Sequence, residues 1–546
     1  MKIKEKFNKI NPLLLGVILF LVFLFLVLII YNYSLAIGDM AQYINNPVRI
    51  INGELPYRDF WVLFSPGGVY LPALFYKLFG LNINLVLIVS IVLNVLIGIF
   101  SFVLGRVVFK DNFFATIVAL LVFFDGIPAY VGYTYLNAYF LFLIIAAIFF
   151  VKYLKNNTAK WLFWAGIFVG ASFIFRFYEV TAASLAFFIL IFIQGKFKQD
   201  EFSASLKSAA IFCGGILLVV FFAFLPLIKI WGTMIKQVVF DSLSHGTSMN
   251  LPYFEGSAAA FGPVLAYLKE MIGDHLVYVI KLIHSLIIYL NVTLLYLLPF
   301  ILLVVSVWFL FNKKLDKRDK IIALFFLLWG IFTMPKALGR SDPAHLSLAV
   351  TPLFFLLILY LQKSIDISKI KNNLWVKAIK YLLMIIIIIL VMSLPLFLVQ
   401  LRSTLMKPYD KIKSEHGTLV SGDEEEVRDV NEVISFIGNN TKKDDYIFVT
   451  PWYAPPLYAL TDRKNPTYYD SLIDLVARPS TERQKKVCQD LVDKNTKMII
   501  HSPDWGFNNK QELQFLTACP VIQQCIDDNF RLVQQYGRYY IYQPKN

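Results

Sequence analysis

Charged residues are scarce in this chain. Asp, Glu, Lys and Arg make up 16% of its 546 residues, whereas a typical soluble protein has about 25%. Hydrophobic residues make up 58%, and the mean hydropathy is +0.63. This composition excludes a disordered chain and a wholly soluble enzyme. It predicts a membrane protein that crosses the bilayer several times.

Signatures of common soluble enzymes and of zinc sites are also missing. The sequence contains no phosphate-binding P-loop, no HExxH and no GxSxG, so nothing indicates an ATP-driven pump. Its four cysteines lack zinc-site spacing, and we expect no metal site. Cys213 lies in an apolar run. If the C-terminal region is outside the cell, Cys519 and Cys525 are candidates for a disulfide, with Cys488 left over.

The positive charge is unevenly distributed. The chain has a net charge of +14, but residues 402–546 carry 19 Lys and Arg against 20 Asp and Glu. The excess therefore belongs to residues 1–401, where basic loops on the cytoplasmic face of a membrane explain it. Membrane lipids, and no nucleic acid, are the partners that this distribution predicts.

Apolar runs recur throughout residues 1–401. A spanning helix needs about 20 mostly apolar residues. About eleven spans are expected, at 13–32, 84–109, 113–131, 136–154, 160–175, 178–194, 208–230, 288–311, 320–334, 345–362 and 378–401. Segment 66–79 is shorter and begins with Pro and Gly, which favours an interfacial or re-entrant helix, and 264–287 is a candidate for a second one.

Lysine and arginine predict the orientation. They precede the first span and fill the short loops near residues 152–160, 196–198, 313–320 and 363–377. Loops 33–83 and 231–287 are poor in them for their length, and loop 335–344 carries only Lys336 and Arg340. The positive-inside rule then places the N-terminus in the cytoplasm, and an odd number of spans leaves 402–546 outside. The first span is too long for a signal peptide and lacks a cleavage site, so we expect an integral, multi-pass protein of the plasma or inner membrane.

Residues 402–546 have the pattern of a small α/β domain. Strands are predicted at Tyr446–Thr450, Lys497–His501 and Tyr539–Tyr542, and helices at Val427–Ile437 and Glu482–Leu491. The predicted fold is therefore an all-α polytopic membrane domain, residues 1–401 with the outer loop 33–83, followed by an extracytoplasmic α/β domain, residues 402–546.

Polar residues gather at the predicted outer ends of the spans. Asp39 directly follows the first span and is either an interfacial carboxylate or a general base beside a lipid headgroup. Arg58 and Asp59 fit a surface charge pair better than a catalytic role. Asp125 and Asn137 flank a stretch of tyrosines that is typical of an interfacial aromatic belt.

Two further outer segments are rich in charge. Arg176 and Glu179 lie at a tight turn between two spans and either pair with each other or face a ligand. The loop KALGRSDPAHL sets Lys336, Arg340 and His345 around Asp342. Three potential cations at one membrane edge suit a phosphate anion, although loop charges without a ligand would give the same pattern.

Six motifs follow one another in a characteristic order. They are Gly38-Asp39, NGELPYRDF, SPGGVYLPALFYKLFG, GASFIFRFYE at 170–179, GRSDPAHL at 339–346 and PWYAPPLYALTDRKNPTYYD at 451–470. With these motifs the chain resembles the GT-C superfamily of polytopic glycosyltransferases, and within it bacterial relatives of the protein O-mannosyltransferases and of the aminoarabinose lipid A transferase. Each motif is loose, but their order is specific and covers nearly the whole chain.

The resemblance implies an activity and a set of site residues. A sugar would pass from a polyprenyl-phosphate donor to a lipid, glycan or protein acceptor on the outer face, with inversion of the anomeric carbon. Asp39 matches the catalytic base. Arg176 and Arg340 best match the residues that bind the donor phosphate, followed by Lys336 and His345.

The chain departs from the family at one position. Many members carry a second acid in the next outer loop, where this chain has Asn137 with Asp125 upstream. A divalent metal is therefore unsupported, and no other cofactor is expected. Further candidate substrate contacts are Arg58, Asp59, Asp125, Asn137, Glu179, Asp342, Tyr453 and Arg463.

The role of the C-terminal domain and the function itself have alternatives. The domain would cover the site and select the acceptor, although packing is the simpler explanation for Tyr453.

A flippase or transporter of lipid-linked glycans would need outer cations, but neither a general base nor a folded outer domain. A non-catalytic scaffold for envelope synthesis would not depend on Asp39, Arg176 or Arg340.

Overall fold

The structure is a computed structural model with two compact units. It describes residues 2–31, 39–126, 134–198, 202–242, 251–270, 276–313, 315–370, 374–392, 410–421, 423–505 and 511–545. The first, the helical unit, comprises Met1–Val27, Val92–Pro226 and Asn250–Arg402. The second, the mixed unit, comprises Leu28–Ile91, Leu227–Met249 and Ser403–Asn546. The loop after the first span thus shares a unit with the C-terminal residues.

Helices dominate residues 2–392. Between α10 and residue 242 the chain also forms a 3-10 segment, Leu225–Ile230, and a π-helical segment, Lys236–Asp241. The α-helices are α1 Lys2–Lys9, α2 Pro12–Tyr31, α3 Asp39–Ile51, α4 Gly67–Phe79, α5 Asn84–Phe109, α6 Asn112–Asp125, α7 Thr134–Asn156, α8 Ala159–Phe173, α9 Tyr178–Lys198, α10 Phe202–Phe224, α11 Trp231–Ile235, α12 Glu255–Glu270, α13 Leu276–Phe311, α14 Lys317–Gly339, α15 Pro343–Ile370 and α16 Leu374–Val391.

The apolar helices coincide with the predicted spans. Among the described residues, eight helical stretches are long and apolar enough to cross a membrane: Asn84–Phe109, Leu136–Asn156, Tyr178–Lys196, Phe202–Asp241, Lys281–Phe311, Lys317–Gly339, His345–Ser368 and Leu374–Val391. Three shorter apolar helices are Pro12–Leu28, Asn112–Asp125 and Ala159–Phe173. Each of the eleven predicted spans falls on one of these helices, which confirms the polytopic membrane fold.

The boundaries differ where the apolar pattern was ambiguous. Helix α13 begins at Leu276, well before the predicted start at 288, because its apolar residues continue upstream. It therefore takes in part of the segment 264–287, and α12 takes in another part. Helix α4 has 13 residues, a length of about 20 Å, and so is too short to cross the bilayer, as expected for 66–79.

Small residues and aromatic rings pack the helical unit. Helices α8 and α10 approach closely at Gly166, where an added Cβ atom would lie 2.2 Å from the carbonyl oxygen of Phe212. Helices α7, α9 and α14 meet at Phe150, Phe187 and Phe325, whose ring centroids lie 4.7 to 5.0 Å apart. Fixed packing of α9 against α14 matters for the site, because both helices carry charged residues at one end.

The C-terminal part of the mixed unit contains a small sheet, as predicted. Strands β3 and β4 are parallel, and β6 pairs antiparallel with both β4 and β5, giving the order β3-β4-β6-β5. The predicted strands and helices are confirmed, whereas the hairpin β1-β2, β5 and α22 were not predicted. The elements are β1 Asp410–Ser414, β2 Gly417–Ser421, α17 Glu424–Asn440, β3 Ile447–Val449, α18 Leu457–Thr461, α19 Ile473–Ala477, α20 Thr481–Asp493, β4 Met498–His501, α21 Phe515–Ala518, α22 Pro520–Asn529, β5 Phe530–Tyr536 and β6 Tyr539–Pro544.

The loop after the first span is part of the core of the mixed unit. Trp61 is buried with Phe448 and Ile499 of the sheet. Its backbone N–H donates to the carbonyl of Tyr468 over 2.8 Å, and that of Ile83 donates to the carbonyl of His416, also over 2.8 Å. These contacts explain why residues far apart in sequence form one unit.

The candidate disulfide Cys519–Cys525 is wrong. Cys488 on α20 and Cys525 on α22 form the disulfide, with their Cα atoms 5.9 Å apart, and Cys519 is a buried free thiol. The closer spacing in sequence was misleading because α20 packs against α22, which brings Cys488 to Cys525.

Candidate functional site

Charged side chains gather at one end of three helices in the helical unit. Helix α9 packs on α14, and α14 packs on α15. Arg176 lies just before α9, Lys336 lies in the last turn of α14, and Arg340 and His345 lie on either side of the start of α15. We refer to the following six residues as the cationic cluster: Arg176, Glu179, Lys336, Arg340, Asp342 and His345.

Arg176 and Glu179 form an ion pair. The Nε and Nη2 atoms of Arg176 donate to the two carboxylate oxygens of Glu179 over 2.7 and 2.8 Å. The Glu179 side chain is only 2% exposed, and its place in the first turn of α9 suits a negative charge. Glu179 therefore fixes the Arg176 guanidinium rather than facing solvent itself.

Asp342 organises the other half of the cluster. It accepts hydrogen bonds from Arg340 Nε over 2.9 Å and from the backbone N–H of His345 over 3.0 Å. Its Oδ1 atom also lies 2.8 Å from His345 Nδ1. Burial opposes the charge of this carboxylate, but the hydrogen bonds and charge of His345, together with Arg340, hold the pKa of Asp342 below its ordinary value.

Lys336 is the least compensated cation of the cluster. It is half-buried, and within the part of the chain that the structure describes its ammonium has neither a hydrogen-bond partner nor an ion pair. It interacts electrostatically with Arg176 and Glu179. A partly desolvated ammonium without a partner is unfavourable. Three fixed cations against two carboxylates therefore make this end of the helices suitable for an anion.

Asp125 and Asn137 are buried polar residues of the same unit. Asp125 accepts a hydrogen bond from Asn291 Nδ2 over 3.1 Å. Asn137 is 0% exposed, and neither of its amide atoms has a partner among the described residues. Buried amides normally have partners, so Asn137 is available to a ligand group. Tyr130 and Tyr133 lie outside the described residues.

In the mixed unit, Asp39 is the first residue of α3, and its side chain lies outside the described residues. Arg58 and Asp59 form an exposed ion pair, with Nη2 and Oδ2 2.7 Å apart. Asp241, for which the sequence suggested no role, forms an ion pair with Arg478 over 2.8 Å. His245 lies outside the described residues.

The candidate sugar contacts of the C-terminal domain are engaged within that domain. Tyr453 donates its hydroxyl to Ser502 Oγ over 2.6 Å, and the guanidinium of Arg538 lies 4.0 Å from its ring. Arg463 is buried and donates to the hydroxyl and carbonyl oxygens of Thr441, each over 2.8 Å. Because both side chains have partners within the domain, packing of the domain is enough to explain their positions.

Sequence reasoning missed the polar face of α3. Gln42, Asn45, Asn46 and Arg49 repeat at helical spacing and are all buried. Arg49 donates to Asp470 over 2.7 Å and to Glu54 over 2.8 Å. The available signal was this run of polar residues with a period of three to four, which marks a helix face that must meet other polar groups.

No group of three His, Cys, Asp or Glu side chains among the described residues is arranged to hold a metal ion. The ion pairs within the two units join Arg, Lys or His to carboxylates. The cationic cluster, by its charge and its half-buried Lys336, is the arrangement best suited to a ligand with a phosphate group.

Comparison with known proteins agrees with this fold. Residues 64–228 match the protein-family model described as dolichyl-phosphate-mannose-protein mannosyltransferase. The fold is similar to that of ArnT from Cupriavidus metallidurans in the apo state, with a TM-score of 0.53 and 12% identity over 96% of this chain and 97% of that one. No curated protein matches the chain.

The two matches confirm the resemblance to membrane glycosyltransferases of the GT-C type. At 12% identity the likeness to ArnT establishes the fold. The family match includes Asn137, Arg176 and Glu179, begins after Asp39, and ends before Lys336. The roles of individual residues therefore depend on their chemistry in this chain.

Proposed function

We propose that the protein is an inverting glycosyltransferase that moves a sugar from a polyprenyl-phosphate donor to an acceptor at the outer face of the membrane. The observation that carries this proposal is Lys336, a half-buried ammonium without a partner among the described residues, between the fixed cations Arg176 and Arg340. The phosphate of a lipid-linked donor would supply the missing negative charge.

The membrane fold favours a lipid-linked donor over a nucleotide sugar. Nucleotide sugars stay in the cytoplasm, so an outward-facing transferase needs a donor that the membrane carries. Such a donor presents a long apolar tail and one phosphodiester at the interface. Apolar helices suit the tail, and cations at their ends suit the phosphodiester.

Two features support the outward orientation. Basic residues are concentrated in alternate loops, as the positive-inside rule requires for a cytoplasmic N-terminus. The disulfide Cys488–Cys525 is typical of an oxidising compartment, which supports a position of the C-terminal domain outside the cytoplasm.

The reaction is a single displacement. Asp39 takes the proton of the acceptor hydroxyl while its oxygen attacks C1 of the donor sugar from the face opposite the phosphate. The bond from C1 to the phosphate oxygen breaks, its electrons leave with the polyprenyl phosphate, and the anomeric centre inverts. Arg176, Lys336, Arg340 and His345 stabilise the growing phosphate charge.

The remaining polar residues assist these groups. Glu179 and Asp342 hold Arg176 and His345 in place through their hydrogen bonds. The unpartnered amide of Asn137 contacts the substrate in place of a second acid. Arg58, Asp59, Asp125, Tyr453 and Arg463 have partners of their own, and we assign them no direct part in the reaction.

The test is release of polyprenyl phosphate. Purified full-length protein in lipid vesicles is given a panel of polyprenyl-phosphate sugars, with native membrane extract as the source of acceptors. We expect release by the wild type and a loss of about 10²–10⁴-fold in turnover for Asp39→Asn, since that is the usual contribution of a positioned base. Unchanged turnover in Asp39→Asn would remove Asp39 from the mechanism.

The cation assignment has its own test. Lys336→Met is expected to raise the KM for the donor about tenfold or more, because a hydrogen bond to a charged group contributes about 1.5–3 kcal/mol. Lys313→Met, an exposed lysine after α13, serves as the control and should behave as the wild type. Transport of the sugar lipid across vesicles without any release of polyprenyl phosphate would favour a transporter instead.

A further inference from the structure

A pocket in the mixed unit lies between α3 and the segment that follows β3. Ala41, Gln42 and Asn45 line it from α3. Trp452, Pro455 and Tyr458 line it from the C-terminal domain, and Asp470 and Ser471 also reach it. Trp452, Pro455, Tyr458 and Asp470 belong to the motif at 451–470, which the proposed reaction leaves without a role.

Two polar groups in this pocket lack partners. Asp470 uses Oδ1 to accept from Arg49 over 2.7 Å and from Asn465 over 2.8 Å, but Oδ2 has no partner among the described residues. The Asp470 side chain is only 3% exposed. Gln42 is 6% exposed, and its amide likewise has no partner among the described residues. Buried polar groups are normally satisfied, so Oδ2 of Asp470 points to a ligand, and Gln42 lines the same pocket.

The charges around the pocket narrow the chemistry of that ligand. Arg49 is already neutralised by Asp470 and Glu54, so the free oxygen of Asp470 would repel an anion. It can accept a hydrogen bond from a neutral hydroxyl, and the amide of Gln42 can both donate and accept. The pocket therefore excludes a phosphate, whereas a hydroxyl group can form hydrogen bonds with both Asp470 and Gln42.

The size and the walls of the pocket agree with a sugar. Its volume is about 20 Å³, room for roughly one water-sized group. A single hydroxyl or hydroxymethyl group fills that space. Trp452, Pro451 and Pro455 also line the pocket and offer an apolar surface to the C–H groups of the ring.

We propose that this pocket binds one hydroxyl or hydroxymethyl group of a sugar ring. Asp470 and Gln42 form hydrogen bonds with this group, and Trp452 provides an apolar contact. The ring belongs to the acceptor glycan or to the donor sugar. Only the assignment of the ring to the acceptor or to the donor rests on the proposed function. Helical spacing places Gln42 one turn after Asp39 on α3, so a ring held here lies along the helix that begins with the proposed base.

Binding is measured without donor and without turnover. The result is therefore valid even if the protein proves not to be a glycosyltransferase. Purified full-length protein in nanodiscs is titrated with the methyl glycosides of mannose, glucose, galactose and N-acetylglucosamine, and ligand-observed NMR reports the Kd. We expect at least one glycoside to bind in the millimolar range. Gln42→Ala should raise that Kd about threefold to tenfold, the value of one neutral hydrogen bond.

Matched variants keep the result interpretable. Within the described part of the chain Gln42 has no partner to lose, so Gln42→Ala should keep the wild-type melting temperature, whereas Asp470→Asn also weakens the contact with Arg49. Gln524→Ala, an exposed glutamine on α22, is the control and should bind as the wild type. Binding of none of the four glycosides, or equal binding by wild type and Gln42→Ala, overturns the proposal.

The turnover assay then identifies the source of the ring. If Gln42→Ala raises the KM for the acceptor alone, the pocket holds the acceptor. If it raises the KM for the donor alone, the pocket holds the donor sugar. An unchanged KM for both substrates in an active enzyme would contradict a role of the pocket in this reaction.

Discussion

The cationic cluster of the helical unit and the Arg49 network of the mixed unit use the same residue types differently. Arg49 is buried, and its guanidinium donates to Glu54, Asp470 and the carbonyl of Thr467. Burial alone would lower its pKa, but Asp470 and Glu54 hold the pKa of Arg49 above its ordinary value. The positive charge of Arg49 is therefore used by the protein itself, and Oδ2 of Asp470 is the buried carboxylate atom of this network that has no partner among the described residues.

The cationic cluster leaves charge unused. Arg176 and Arg340 have carboxylate partners, but Lys336 has none among the described residues. A charge that the fold satisfies stabilises the fold, whereas a charge that it leaves unsatisfied is available to a ligand. The comparison therefore separates the structural Arg49 from Lys336, and mutations of these two residues should have opposite effects on stability.

The largest stability effect is expected at Arg49. Arg49→Met leaves the buried carboxylate of Asp470 without its cation, and breaking a buried pair in this way costs about 3–5 kcal/mol. The melting temperature of the purified protein should fall by several degrees. The double variant Arg49→Met, Asp470→Asn removes both charges and should recover part of the loss. A wild-type melting temperature in the single variant would show that the network is not structural.

Acid should weaken the mixed unit through His501. This side chain is buried between Thr450 and Gln523, and burial lowers the pKa of His501 to about 4. The unfolded chain, with an ordinary histidine pKa near 6.5, binds the proton more readily between these values. Stability is therefore fully present above about pH 6.5 and falls as the pH drops toward 4, by about 2 kcal/mol at pH 5.

The measurement is the melting temperature as a function of pH. The control is His501→Gln, which cannot acquire the charge and should show a shallower decline between pH 6.5 and 5, whatever its stability at neutral pH. Parallel pH profiles for the wild type and His501→Gln would contradict the assignment. The two ring nitrogens of His501 bind Thr450 and Gln523, whereas Arg49 binds carboxylates. The result would therefore support the rule that a buried group needs an opposite charge beside it to remain ionised.

Lys336 should behave in the opposite way to Arg49. Lys336→Met removes a half-buried ammonium that has no partner among the described residues. The free energy of unfolding should therefore stay the same or rise by up to about 1 kcal/mol, and the melting temperature should change in the same direction. Thermal unfolding without substrate measures this. A loss of stability as large as that of Arg49→Met would remove the distinction between the two clusters.

The sequence predicted the fold well because its main signal is strong. Runs of about 20 apolar residues can only be membrane helices or buried helices, and each of the eleven predicted spans corresponds to an apolar helix. The pairing of Cys488 with Cys525 and the shared core of Trp61 with Phe448 could not be predicted. Both depend on packing between distant segments, which leaves no local pattern.

The site was predictable by residue type but not by partner. The sequence brought Lys336, Arg340, Asp342 and His345 together because they lie within ten residues of one another. It could not reveal that Lys336, unlike the other three, has no partner among the described residues, or that Asp470 binds Arg49 from more than 400 positions away. Hydrogen-bond partners are set by tertiary packing, so an unsatisfied group becomes visible only in the structure.

The smallest effect is expected at Arg58, which tests the role of burial in the comparison. Arg58 pairs with Asp59 over 2.7 Å, much as Arg49 pairs with Asp470, but its side chain is 61% exposed. Water solvates both charges when an exposed pair is broken, and such pairs contribute little. Arg58→Met should therefore leave the melting temperature within error of the wild type at both low and high salt. Since the same substitution at Arg49 is expected to be strongly destabilising, a comparable loss at Arg58 would mean that burial is not what separates the structural ion pairs of this protein from the dispensable ones.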